Sequence, residues 1–145
     1  ARINLPACMT ETAPMPSRRI VVTLGGVEGV ADLFDDLAPR TCAAVWDALP
    51  LHETINHANF SGEEVSFPTF GLMWEREHQL HDNQPGDLGY FVQGPAICIY
   101  YGALRVISPG NVFGRIVTNL AGIQDIARRS WKEPGIRIAL RRTEA

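Results

Sequence analysis

From residue 18 onward the apolar positions change period several times, and each change marks an element. The β-branched run "RRIVVTL" (18–24) reads as a strand, "GGVEG" (25–29) as a glycine-rich turn and the alternating "VADLFDD" (30–36) as a second, half-buried strand. Together they predict a hairpin. The period then lengthens. Cys42, Val45, Trp46 and Leu49 recur at i, i+3, i+4 and i+7, with Pro39 suited to a first helical turn and Pro50 to a stop. Residues 52–70 alternate polar and apolar around Ser61-Gly62, which predicts short strands, while 71–84 fits a strand or a helical turn equally well. A Pro-Gly-Asp turn at 85–87 leads to the strand "LGYFV", a turn at Gly94-Pro95 and the nearly continuous apolar strand "AICIYY". After a loop over 103–110, the pattern gives a strand at 112–117 and a helix at 118–130. That helix buries Leu120, Ile123, Ile126 and Ala127, and a last strand follows at 136–142. Seven or eight short strands with two helices predict a mainly β fold. The strand spacing suggests a closed barrel capped by helices at about 39–49 and 118–130. We read residues 18–145 as one domain and the proline-rich residues 1–17 as a flexible lead-in.

Composition narrows the partners more than the fold. With 46% hydrophobic and 20% charged residues, the chain has ample core material. A net charge of −3 and a pI near 5.8 argue against nucleic acid or an anionic membrane surface as partner. The basic pairs Arg128-Arg129 and Arg141-Arg142 read as solvated element ends. No run of 18 apolar residues occurs, so no membrane-spanning helix is expected. Cys8, Cys42 and Cys98 form no CxxC pair. Cys42 and Cys98 lie in apolar contexts and read as small buried hydrophobes, and free thiols suit a cytoplasmic setting.

Two segments resemble the cyclophilin barrel in detail. "VADLFDDLAPRTCAAVWDAL" is similar to the cyclophilin strand that runs into its first helix. "NVFGRIVTNLAGIQDIAR" is similar to its Val-Phe-Gly-Lys-Val strand and second helix, and "IRIAL" resembles the closing strand. Gly114 would let strand and helix approach closely, and Phe113 would plug the barrel while lining a groove. The middle differs. "NHANFSGEEVSF" and "PGDLGYFVQGPAICIYYG" resemble small bacterial cyclophilin-like proteins of uncharacterised function, which show Ala-Asn-x-x-Gly-Glu-Glu and then Gly-Asp-hydrophobic-x-Tyr. The resemblance spans roughly 18–142 and implies fold far better than activity.

Cyclophilins isomerise prolyl bonds with an arginine from a Phe-His-Arg segment soon after the first helix. The matching region here, "NHANFSGEEVSFP", holds no arginine and two adjacent glutamates, and Arg76 would have to substitute from another strand. The same region mixes an imidazole with carboxylates, which suits a small polar or cyclic metabolite and general acid–base chemistry. His57, Glu64 and Glu75 are the candidate catalytic residues. Ser61, Glu63, Trp74, Arg76, Tyr101, Asn111 and Phe113 are the candidate ligand contacts. On one strand Glu64 and Ser66 share a face opposite Val65 and Phe67, and only one of Tyr100 and Tyr101 can point into the barrel. His78, His81 and Asp82 would gather metal ligands only on a helix, and no second ligand pair accompanies them. "GGVEG" sits in a hairpin and opens no helix, so no nucleotide cofactor is expected and no metal is assigned. Three readings stay open: a metabolite-binding barrel with or without catalysis, a prolyl isomerase or peptide-binding module, and a structural or homo-oligomeric subunit.

Overall fold

The computed structural model describes residues 17–58, 61–106 and 108–143. The lead-in expected over 1–17 therefore lies, apart from Ser17, outside the described residues, as does Cys8. The strands are β1 (Arg19–Leu24), β2 (Val27–Leu33), β3 (Leu51–Thr54), β4 (Asn56–His57) and β5 (Gly62–Pro68), then β6 (Asp87–Phe91), β7 (Ala96–Leu104), β8 (Asn111–Ile116) and β9 (Arg137–Arg142). The helices are α1 (Pro39–Ala48) and α2 (Leu120–Arg129). One antiparallel sheet runs in the order β3-β9-β1-β2-β8-β6-β7-β5-β4. It curls until β3 meets β5, forming a nearly closed barrel. An apolar seam remains there, lined by Leu51, Pro68, Phe70 and Leu72.

Alternation decides what fills the barrel. Ile20, Val22 and Leu24 of β1, Val65 and Phe67 of β5, Leu88 and Tyr90 of β6, and Ile97, Ile99 and Tyr101 of β7 all point into one core. The β1–β2 hairpin turns on Gly25 and Gly26, both at positive φ, as a two-residue turn with the strands' own twist requires. α1 closes one mouth with Thr41, Cys42 and Val45 buried, and α2 closes the other with Ile123, Ile126 and Ala127. Trp46 is only partly buried and lies between the guanidinium groups of Arg18 and Arg142.

Three local expectations are corrected. Residues 71–84 form neither strand nor helical turn beyond one bridge, Gln79 to Asn111, because side chains take their backbone donors. The Leu72 N–H donates to the Tyr90 hydroxyl at 2.9 Å and the Glu77 N–H to Asn111 Oδ1 at 3.0 Å. The second helix starts at Leu120, since the amides of Val117 and Thr118 still donate to the Val30 carbonyl. Gly114 serves a strand–strand approach, because a Cβ there would sit 2.7 Å from the Asp32 carbonyl oxygen of β2.

Candidate functional site

The outer face of β5, β7 and β6 should be wet in a simple barrel. Here the chain after β7 folds back over it and encloses a cavity of about 500 Å3, within the usual range for small-molecule sites. Its floor is set by strand pairing. Glu64 lies opposite Tyr100, and Ser66 opposite Cys98, with all four side chains on the face away from the core. Asn56, Ser61 and Ala58 form one wall, Phe91 and Ala96 another, and Arg105, Val106 and Ser108 the rim. The rim is pinned by the Arg105 N–H, which donates to the Ser61 carbonyl at 2.8 Å, and by His81 Nδ1, 3.1 Å from the Val106 carbonyl oxygen.

Glu64 is the chemical centre of this cavity. It is 8% exposed and takes part in no ion pair among the described residues. Burial drives its carboxyl above the ordinary range, and hydrogen bonds from Ser61 and Cys98 offset only part of that. Burial also pushes the Cys98 thiol and the Tyr100 phenol upward, so both remain neutral donors. Both side chains lie beside Glu64 on the cavity face of β7. A buried carboxyl held above its ordinary range in a cavity can take up and return a proton.

Glu63, one residue earlier, has the opposite fate. A bulge sets Gly62 opposite Leu104 but Glu64 opposite Tyr100, so Glu63 alone faces three residues of β7. Gly62 adopts φ +108°, and a Cβ there would meet the Ala103 carbonyl oxygen at 2.6 Å. The bulge frees the Ala103 N–H to donate to Glu63 Oε1 at 2.9 Å, while Arg128 Nε donates to Oε2 at 3.1 Å. Both hold Glu63 below the ordinary carboxyl range, the Ala103 bond first. Adjacent glutamates are therefore separated, one held ionised and one poised to protonate.

His57 borders both groups. It lines the cavity, yet Nε2 lies 2.7 Å from the Tyr101 hydroxyl and its ring 4.2 Å from that of Trp131. Tyr101 itself points into the barrel and is fully buried there, whereas Tyr100 lines the cavity. Of the residues predicted from sequence, the structure thus gathers His57, Ser61 and Glu64 at one cavity. It places Glu63 and Tyr101 on the inward side of the same strands.

The other candidates sit elsewhere. Asn111 is fully buried under the 71–79 segment, where Nδ2 donates to the Glu75 carbonyl at 2.8 Å and to Thr41 Oγ1 at 3.2 Å. Glu75 pairs with Arg40 at 2.6 Å on the surface, and Trp74 is 72% exposed. Arg76 is exposed on the same segment and does not line the cavity. Phe113 is 0% exposed in the core, because its strand position turns it inward. Among the described residues no three His, Cys, Asp or Glu side chains gather as metal ligands: His78 bonds the Val112 carbonyl and His81 that of Val106. No helix there is long and apolar enough to cross a membrane.

Sequence reasoning left out Cys98, Ser66 and Arg105, and it placed one of Tyr100 and Tyr101 at the site without deciding which. Their signal was the i, i+2 spacing of Cys98 and Tyr100, which needs the β5–β7 register before it points anywhere.

Burial of Glu64 makes a pH prediction. The folded chain keeps a proton there that the unfolded chain has already released. This contribution to stability is fully present below about pH 4 and is lost as pH rises through the raised value in the fold. Glu64→Gln should therefore lose less stability than the parent between about pH 4.5 and pH 7.5, read as urea midpoints. Equal losses would mean that Glu64 titrates alike in both states.

The chain belongs to the family described as protein of unknown function (DUF3830), whose sequence model matches residues 20–141. It is similar to McbB, solved in complex with tryptophan, with a TM-score of 0.75 and 22% identity over 87% of this chain and 45% of that one. The chain thus spans less than half the McbB chain. It is also similar to the hypothetical protein AF2241 from Archaeoglobus fulgidus, known from a solution structure, with a TM-score of 0.68 and 25% identity over 91% of this chain and 100% of that one. No curated protein matches it.

Proposed function

We propose that this DUF3830 protein is a cyclophilin-like barrel that binds a small polar or cyclic metabolite over β5 and β7. In this reading Glu64 accepts and returns a proton on that molecule. The observation that carries it is a carboxyl group, more than nine-tenths buried, on the floor of a ligand-sized cavity and in no ion pair among the described residues. Strongly perturbed titratable groups cluster at functional sites, and one in a cavity is a candidate for such a site. The mostly apolar walls with a few converging polar groups suit a ring-bearing molecule. McbB, similar in fold, was solved with tryptophan, which is in keeping with a ligand of that size.

Prolyl isomerisation finds less support, because Arg76, on which it would rest, lies away from the cavity.

A thermal-shift panel of small cyclic acids, amines, amino acids and prolyl peptides tests this reading. A ligand at 100 times its Kd should stabilise the fold by about 2.7 kcal/mol, a shift of several degrees. Glu64→Gln should weaken that ligand by about tenfold or more, roughly 1.4 kcal/mol. Stabilisation by prolyl peptides alone, or by a ligand indifferent to Glu64→Gln, would overturn it.

A further inference from the structure

A carboxyl group and a guanidinium group face the same cavity. Glu64 sits on the floor, and Arg105 stands exposed on the rim with its backbone tied to Ser61. No ion pair among the described residues includes either. The other titratable groups lining the space are His57, Cys98 and Tyr100, and the last two are held neutral by burial. Between floor and rim the wall is Phe91, Ala96, Ala58 and Val106. A buried carboxylate without a counter-charge is costly, and a ligand cation removes that cost in the bound state. A guanidinium at the rim offers paired donors that match a carboxylate.

We propose that the site takes a zwitterion, a compact amino acid-like molecule. Its ammonium group pairs with Glu64, its apolar ring or chain lies along Phe91 and Val106, and its carboxylate meets Arg105. Ser61 and Ser66 accept further ammonium hydrogens, and Ser108 can donate to the carboxylate. The inference rests on the reading of this cavity as a ligand site and adds the ligand's charge pattern. It also accounts for the order of the charges. The strongly hydrated carboxylate of the ligand stays at the wet rim, and its ammonium goes to the buried carboxyl on the floor.

Isothermal titration calorimetry on the 145-residue protein tests it with matched probes. L-phenylalanine and L-tryptophan are compared with phenethylamine and tryptamine, which lack the carboxylate, and with 3-phenylpropionate and indole-3-propionate, which lack the amine. The zwitterion of a series should bind about tenfold or more tightly than either counterpart. Arg105→Gln should bring the zwitterion down to the level of its amine while leaving the amine unchanged. Glu64→Gln, nearly isosteric, should bring it down to the level of its acid, with near-ultraviolet circular dichroism confirming an intact fold.

If an acid or an amine binds as tightly as its zwitterion, the charge-pattern inference falls and the ligand site stands. It also falls if all six probes are silent while the thermal-shift panel yields a ligand that depends on Glu64. Silence in both experiments overturns the ligand site as well.

Discussion

Phe113→Ala is expected to cost about 3–5 kcal/mol, the usual range for emptying a buried aromatic position. Phe113 is wholly buried in β8, and its carbonyl accepts the Cys42 thiol at 3.2 Å and the Phe34 N–H at 2.7 Å. The backbone at this point is thus clamped between α1 and the end of β2. It cannot move in to fill the space the ring leaves. Against a typical total of about 5–15 kcal/mol, such a loss leaves the barrel marginal. Urea denaturation followed by circular dichroism measures it. A loss under about 1 kcal/mol would mean that the surrounding side chains collapse into the gap.

Arg115→Met is expected to be nearly as severe, at about 3–5 kcal/mol, because it strands a buried charge. Asp87 is 0% exposed; its Oδ1 takes the Arg115 Nε at 2.6 Å and its Oδ2 the Gln84 N–H at 2.8 Å. Removing the guanidinium leaves the carboxylate with that backbone donor alone in a dry setting. Removing both charges should hurt less. In Asp87→Asn/Arg115→Met the amide needs no counter-charge, so a double-mutant cycle should show strong coupling between the two sites. Additive losses would show that Arg115 acts through its packing over the Phe34 ring, which it covers at 5.5 Å, and not through its charge.

Much of the barrel was legible in the sequence because it rests on short-range periodicity. The β1–β2 hairpin, α1 from Pro39 and the inward face of α2 follow from spacing alone. So do two facts about the site: Glu64 and Ser66 share a face, and Tyr100 and Tyr101 cannot. Which face becomes a pocket was not legible. That depends on β5 pairing with β7 some 35 residues away, and on the return of the chain past Leu104 over an otherwise open sheet. Without that register, Cys98 in "AICIYY" could only look like core, and Arg105 like an ordinary loop residue. The 71–84 segment was opaque for another reason. Its backbone is satisfied by the side chains of Tyr90 and Asn111, and such bonds leave no period to read. Asn111 and Glu75 therefore looked like candidates for chemistry, whereas Asn111 anchors the loop and Glu75 pairs with Arg40 on its surface.

The bulge opposite Glu63 sets a rule for length variation among relatives. Between the pairs Gly62–Leu104 and Glu64–Tyr100, β7 advances four residues while β5 advances two. The surplus is even, and evenness keeps both strands in phase on either side of the irregularity. Gain or loss of a single residue there would turn Tyr101 outward and Tyr100 into the core, or exchange the two glutamates. Related chains that differ in length at this point can keep a buried carboxylate in the cavity only by changing in steps of two.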